Sequence, residues 1–338
     1  MLGSPGNRGV TAPLLEVSEL VKYYRAGGLL AGGGPPVKAV DGVSFTIAPG
    51  ETLGLVGESG SGKTTVGRTV LRLEPPTAGT VRFEGVDLAT LSPAALRSAR
   101  RRMQIVFQDP FASLNPRRTV GASVAEGLEI HRLASRRELP GRVAALLAEV
   151  GLDGSVAGKY PHEFSGGQRQ RIGIARALAV EPHFIVCDEP VSALDVSVQA
   201  QVLNLLLDLR DQRGLAYLFI AHDLALVRQI AHRVAVMYLG TIVEIGSART
   251  VIDAPRHPYT QALVSAVPKP DPAASTARIV LAGDPPSPSA PPPGCPFVTR
   301  CFHPKKDERC VAERPVLRPV DGRNVACHYA EIVALPAA

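Results

Sequence analysis

Gly57-Glu58-Ser59-Gly60-Ser61-Gly62-Lys63-Thr64 is the stretch on which the reading of this chain turns. Its spacing is that of a complete P-loop. It follows a short apolar run, Thr52 to Val56, and opens a stretch with helical spacing from Lys63 to about Leu73. The glycines let the backbone curl so that successive N–H groups face phosphate oxygens, and the helix start adds the positive end of its dipole. Lys63 is placed to reach the β- and γ-phosphates and the Thr64 hydroxyl to hold Mg²⁺. A glycine-rich turn with a chance lysine is the bland alternative, and the strand before it and the helix after it count against that.

Working outward, the next chemical feature is Asp188-Glu189, an acidic pair ending the apolar run Phe184 to Cys187. Asp188 is placed to bind Mg²⁺ and Glu189 to act as general base on the attacking water. Helix capping is the bland use of such a pair. Around these points short apolar runs alternate with helical patterns. Leu14 to Tyr24 reads as an edge strand, and Val37 to Ile47, Val81 to Phe83, Met103 to Phe107, Tyr217 to Ala221 and Val234 to Met237 as further strands. Leu139 to Val150, Ser165 to Ala179 and Val196 to Arg213 read as helices. That alternation predicts an α/β fold with a parallel sheet covered on both faces. Asp284 to Pro293, rich in Pro and Ser, reads as a stiff linker.

The composition fits a globular chain. It has 338 residues, 45% of them apolar, and a net charge of +6. Its densest basic group, Arg97, Arg100, Arg101 and Arg102 with Arg117 and Arg118 nearby, reads as a solvated helix face rather than a nucleic-acid surface. The apolar runs fall short of the roughly 20 residues a membrane span needs. The opening Met1 to Ala12 lacks the apolar segment of a signal peptide, which points to a cytoplasmic protein.

Phe164-Ser165-Gly166-Gly167-Gln168 resembles the signature motif of ABC ATPases, with phenylalanine where that family usually has leucine. The family's other short motifs follow in order. Gln108 resembles the Q-loop glutamine, Ser192-Ala193-Leu194-Asp195 the D-loop, His222 the switch histidine and Tyr24 the aromatic that stacks on adenine, with Tyr23 an adjacent candidate. The resemblance runs from about residue 14 to 330. It implies a P-loop NTPase fold with an antiparallel β subdomain and a helical subdomain, and ATP hydrolysis served by Lys63, Gln108, Glu189 and His222. It further implies nucleotide contacts from Tyr24, Gly57, Ser59, Gly60, Gly62, Lys63, Thr64, Thr65, Ser165, Gly166, Gly167, Gln168 and Asp195, and Mg²⁺ held at Thr64, Gln108 and Asp188. In the family the signature closes on the ATP of a second subunit, so the resemblance implies a head-to-tail dimer.

Three longer stretches, Phe107 to Val120, Tyr160 to Gln170 and His257 to Pro268, look like those of oligopeptide and dipeptide importer ATPases, and the loop Ala26 to Pro36 resembles that of the second ATPase in such pairs. The implied partners are a second ATPase subunit, two permeases and an extracytoplasmic substrate-binding protein, with no nucleic acid, and the implied place is the cytoplasmic face of the membrane. Nickel, sugar or another small solute is the alternative cargo, and a soluble ABC ATPase or a non-hydrolysing scaffold the alternative function. The expected organisation is a flexible N-terminus over 1–13, an ATPase domain over 14–255 with its helical subdomain at about 108–180, and a C-terminal extension over 256–338. Phe111 is the expected contact for a permease coupling helix. Cys187 reads as a small core residue. Cys295, Cys301, Cys310 and Cys327 are spaced C-x5-C-x8-C-x16-C, no standard zinc-finger or ferredoxin run. Similar tails in the subfamily carry a 4Fe–4S cluster, which the resemblance implies here. Zinc with His303 or His328, or unligated thiols, are the alternatives.

Overall fold

Five consecutive residues, Thr52–Val56, form a strand with every side chain buried. A computed structural model of the chain describes residues 12–26, 34–109, 113–267 and 278–332. Within it that strand, β3, pairs in parallel with β8 (Ala216–Ala221) on one side and β9 (Arg233–Tyr238) on the other. Beyond β8 lie β7 (Phe184–Asp188) and β6 (Met103–Val106), also parallel. Burial on both faces is why these runs read as continuously apolar. The two faces still differ. Leu53, Leu55, Val186 and Ile220 enter one core, whereas Val56, Cys187, Phe219 and Val236 enter the other.

The sheet is mixed rather than purely parallel. Next to β9 comes antiparallel β10 (Thr241–Ser247), then β12 (Arg323–Val325) and β11 (Arg318–Val320). The full order is β11-β12-β10-β9-β3-β8-β7-β6. Strands from the far end of the chain thus extend the sheet that carries the P-loop.

A second, antiparallel sheet has the order β2-β1-β4-β5, with β1 at Leu15–Ala26, β2 at Gly34–Ile47, β4 at Ala78–Phe83 and β5 at Val86–Asp87. Strand β1 is therefore interior, not the edge strand its loose alternation predicts. The cause is a break in its register between Val17 and Leu20, where Glu19 adopts a positive φ of 47°. Leu15, Val17 and Leu20 all face the core despite their uneven spacing.

The helices are α1 (Lys63–Val70), α2 (Pro93–Arg101), α3 (Val120–Ile130), α4 (Leu139–Glu149), α5 (Gly166–Leu178), α6 (Val196–Arg213), α7 (Leu224–Ile230), α8 (Ala248–Asp253), α9 (Pro258–Ser265) and α10 (Glu308–Ala312). Helices α3, α4 and α5 pack on one another and α5 packs on β6, a helical layer that follows Gln108 and includes the signature stretch. The arginines at the end of α2 are not a free solvated face. Arg100 donates to the carbonyls of Leu71 and Arg72, Arg101 to that of Val180, and Arg102 pairs with Glu84. These contacts tie α2 to the end of α1 and to the helical layer.

The stretch read as a linker is docked on the body, since the N–H of Lys38 on β2 donates to the carbonyl of Pro288 at 3.0 Å. Beyond it, Cys295, Phe297, Val298 and Cys310 join the larger core. Phe111, the centre of the loop at 27–33 and the opening residues to 11 lie outside the described residues.

Candidate nucleotide site

The loop between β3 and α1 takes its shape from three glycines at positive φ: Gly57, Gly60 and Gly62. At Gly62 a side-chain carbon would stand 2.0 Å from the carbonyl oxygen of Ala39, and at Gly57 one would stand 2.1 Å from that of Met237. Only glycine fits either position. Helix α1 has no side-chain cap at its start. Its first N–H groups are left to an anion.

Lys63 is 5% exposed, and its Nζ donates to the carbonyls of Gly57 at 2.7 Å and Glu58 at 2.9 Å. Burial pulls its pKa down, and the carboxylates of Glu189, Asp188 and Glu58 pull it back up. The Thr64 hydroxyl donates to Asp188 Oδ1 at 2.9 Å. Asp188, at the end of β7, is 4% exposed, and burial pushes its pKa up more than Thr64, Arg68 and Lys63 lower it. A buried carboxylate beside a hydroxyl is an oxygen donor set that suits Mg²⁺.

Glu189 follows at once, its backbone at φ 46°. Its N–H donates to the carbonyl of Ile220 at the end of β8. Its carboxylate accepts from Gln108 Nε2 at 3.0 Å and stands 3.4 Å from Nδ1 of His222. Gln108 leaves β6, Glu189 leaves β7 and His222 leaves β8, so three adjacent parallel strands deliver three groups to one point. This is the carboxyl end of the sheet, where open α/β sheets bind ligands.

A cavity of about 330 Å³ joins these groups, bordered by Ser59, Gly60, Gly62, Lys63, Thr64, Thr65, Gln108, Glu189 and His222. Val37, Ala39 and Pro288 complete its wall. Sequence reading did not mark these three as site residues. Apolar residues on a strand and a proline in a spacer carry no chemical signal of their own.

Tyr24 stands beside rather than in the cavity. Its hydroxyl bonds Glu74, and Lys22 Nζ lies 5.0 Å above its half-exposed ring. Tyr23 instead binds Asp41. The signature residues lie elsewhere. Ser165 caps α5, its hydroxyl accepting from Gln168 N–H at 3.3 Å while Gln168 Oε1 accepts from Ser165 N–H at 3.0 Å. Gly166 and Gly167 open that helix, and Asp195 caps α6 through Val198 N–H. None of these five borders the cavity around Lys63. Phe164 is buried among the helices, which is why a large apolar residue is accepted there.

The four tail cysteines are gathered but do not form a ligand set. Cys295 N–H donates to the carbonyl of Cys310 at 2.9 Å. Burial pushes Cys295 up to about 12 and Cys327 up to about 11, with the neighbouring thiols adding to the rise. Among the described residues no three His, Cys, Asp or Glu side chains group so as to hold a metal ion. His303 has both ring nitrogens engaged, by Lys305 N–H and by the carbonyl of Ile332. The expected iron–sulfur cluster, and the zinc alternative with it, therefore find no support. Cys187 is fully buried in the core, as read from the sequence.

Comparison with known proteins agrees with this geometry. Residues 40–192 match the family described as ABC transporter, and residues 243–310 the one described as oligopeptide/dipeptide transporter, C-terminal region. A Brucella ovis protein provisionally named for peptide import and ATP binding is 55% identical, over 93% of this chain and 97% of its own. The oligopeptide transport ATP-binding protein AppF of Bacillus subtilis is 52% identical, over 93% of this chain and 97% of its own. Among solved structures, a dimeric post-hydrolysis ATP-binding cassette bound to ADP and Pi superposes with a TM-score of 0.62 at 28% identity, covering 70% of this chain and 99% of that one.

Proposed function

This chain belongs to the ATP-binding subunits of ABC transporters, and from that premise we propose that it hydrolyses ATP to power the import of peptides. The observation that carries the reading is the meeting of Gln108, Glu189 and His222 at the mouth of the P-loop cavity. The match of residues 243–310 to the oligopeptide/dipeptide transporter region supports peptides over nickel, sugars or a soluble role.

The phosphates of ATP lie along the loop from Gly57 to Gly62, against its N–H groups and the start of α1. Lys63 exchanges its two backbone carbonyls for the β- and γ-phosphates. Thr64, Asp188 and Gln108 would hold Mg²⁺, which would supply charge neutralisation to the phosphates when bound. Glu189 takes a proton from water as the water oxygen bonds the γ-phosphorus, and the bond from that phosphorus to the ADP oxygen breaks. Gln108 and His222 hold the Glu189 carboxylate and the water in line. Tyr24 meets the adenine.

The placement of Ser165, Gly166, Gly167, Gln168 and Asp195 away from their own cavity supports a composite site, in which these residues face the ATP of a second ATPase subunit. Among the described residues no helix is long and apolar enough to cross a membrane. In the importer reading the chain works through permease subunits, at the cytoplasmic face, with a substrate-binding protein outside. The iron–sulfur cluster is no part of this reading.

The test is purification of tagged protein from solubilised membranes, with co-purified chains identified by mass spectrometry. Two permeases and a second ATPase, with a peptide-binding protein, are the expected companions. Ribosomal or DNA-repair proteins without any permease would overturn the importer reading.

A further inference from the structure

Glu58, the second residue of the P-loop, is held at each of its polar groups. Its carbonyl accepts from Lys63 Nζ, within the loop itself. Its N–H donates to the Tyr259 hydroxyl at 2.8 Å, and its carboxylate takes both Nη atoms of Arg300 at 2.8 and 3.2 Å. Tyr259 lies on α9 and Arg300 ends the turn Val298–Arg300, so both partners come from the C-terminal extension. Two-pronged arginine–carboxylate pairing fixes orientation as well as distance. The Arg300 side chain is 8% exposed and that of Glu58 31%, so solvent screens this pair less than it does a fully exposed one.

The partners of Glu58 are themselves fixed. The Tyr259 ring packs 4.6 Å from that of Tyr238 and 5.5 Å from that of Phe297, and the Tyr238 and Phe297 rings meet edge-on at 5.2 Å. Tyr238 ends β9, the strand next to β3, so the cluster ties extension, sheet and loop into one block. Pro288, pinned to β2 by the Lys38 N–H, borders the cavity itself. The extension thus meets the nucleotide site twice.

From this we infer that the C-terminal extension is a working part of the nucleotide site, in which Arg300 positions the P-loop through Glu58 and Pro288 supplies a wall for the nucleotide. When ATP arrives, Lys63 leaves the Glu58 carbonyl for phosphate. The Arg300 and Tyr259 contacts stay behind and keep the loop open in the shape the phosphates need. Without Arg300 the loop must order itself against ATP, so binding weakens while the catalytic groups on the three strands remain in place. Arg300 is a positioning residue. The inference rests on the nucleotide-site reading above.

The experiment compares full-length wild type, Arg300→Ala, Arg300→Lys, Glu58→Ala and the charge-swapped pair Glu58→Arg with Arg300→Glu. It reads KM for ATP and kcat by phosphate release, and Tm for folding. Arg300→Ala and Glu58→Ala are expected to raise KM by about fivefold or more with a smaller change in kcat, Arg300→Lys to fall between, and the swap to recover most of the loss. KM within about twofold of wild type in Arg300→Ala, or a swap no better than its worse single variant, overturns the inference. Should Arg300→Ala fail to fold, Glu58→Ala decides alone, because it leaves the extension intact. Lys63→Ala separates the two readings. If that variant still hydrolyses ATP, the nucleotide site itself is misread; if it is inactive while Arg300→Ala is normal, only the role of the extension falls.

Discussion

Glu189 occupies a left-handed backbone conformation, φ 46°, that non-glycine residues seldom adopt. Its N–H bond to Ile220 and its carboxylate contacts with Gln108 and His222 hold it there, and such strain concentrates where function needs one orientation. Glu189→Gln keeps the shape and the Gln108 contact but loses the proton acceptor. Phosphate release should fall by about a hundredfold or more while ATP binding is retained, read by phosphate assay and equilibrium binding. Unchanged turnover would place the base elsewhere. His257 shows a different residue-scale effect. It is fully buried, and burial, helped by the His303 imidazole, lowers its pKa to about 3. The unfolded chain titrates this group near its ordinary value of about 6.5. Between those values the unfolded state binds the extra proton, so stability is lost as pH falls from about 6.5 toward 3. Tm measured from pH 8 to pH 5 should drop more steeply for wild type than for His257→Gln, with matching slopes counting against the assignment.

Elements show what could be read in advance and what could not. Thr52–Val56 and Val196–Arg213 appear with the bounds their patterns predict, because a buried run bracketed by turn residues and a long capped helix are local signals. The P-loop, Gln108, Glu189 and His222 were legible for the same reason, each following a recognisable strand. Strands β11 and β12 have three residues each and gain meaning only by pairing beside β10, from residues far back in the chain. No local pattern carries that. The interior place of β1 was hidden by its bulge, and the docking of Pro288 by a composition shared with free linkers. Helix α5 offers a test at this scale. A side-chain carbon at Gly167 would stand 2.3 Å from Cγ1 of Val198 on α6, so the glycine sets how closely the two helices approach. Gly167→Ala should cost about 1–3 kcal/mol of stability in urea unfolding, the range for overpacking a tight contact. Pairing it with Val198→Ala, which removes the obstructing carbon, should return part of that loss, and an equal loss in both would show that packing is not what Gly167 serves.

Across the whole molecule, one buried pair seals the C-terminal strands to the nucleotide-binding sheet. Glu244 on β10 is fully buried and accepts from the N–H groups of Arg256 and His257. Arg323 on β12, also buried, lies 3.5 Å from it and donates to the carbonyls of Thr250 and Ala254. Burial pushes the Glu244 carboxyl up, and His257, Arg256, Thr260 and Arg323 draw it only part of the way back down. The pair therefore matters less for the energy it adds than for the charge left behind when half of it is removed. Arg323→Ala should cost about 3–5 kcal/mol, the typical penalty for an uncompensated buried charge. Adding Glu244→Gln removes that stranded charge, so the double variant should be more stable than Arg323→Ala alone when both are compared by urea unfolding and Tm. A double variant no better than the single would mean that Arg323 acts through its carbonyl contacts and the filling of its site. Because Tyr259 and Arg300 reach the P-loop from the same extension, the Arg323→Ala chain should also bind ATP more weakly than wild type at temperatures where it remains folded. The double variant, with the extension seated again, should bind more tightly than Arg323→Ala, so stability at one edge of the sheet and affinity at its centre should rise and fall together.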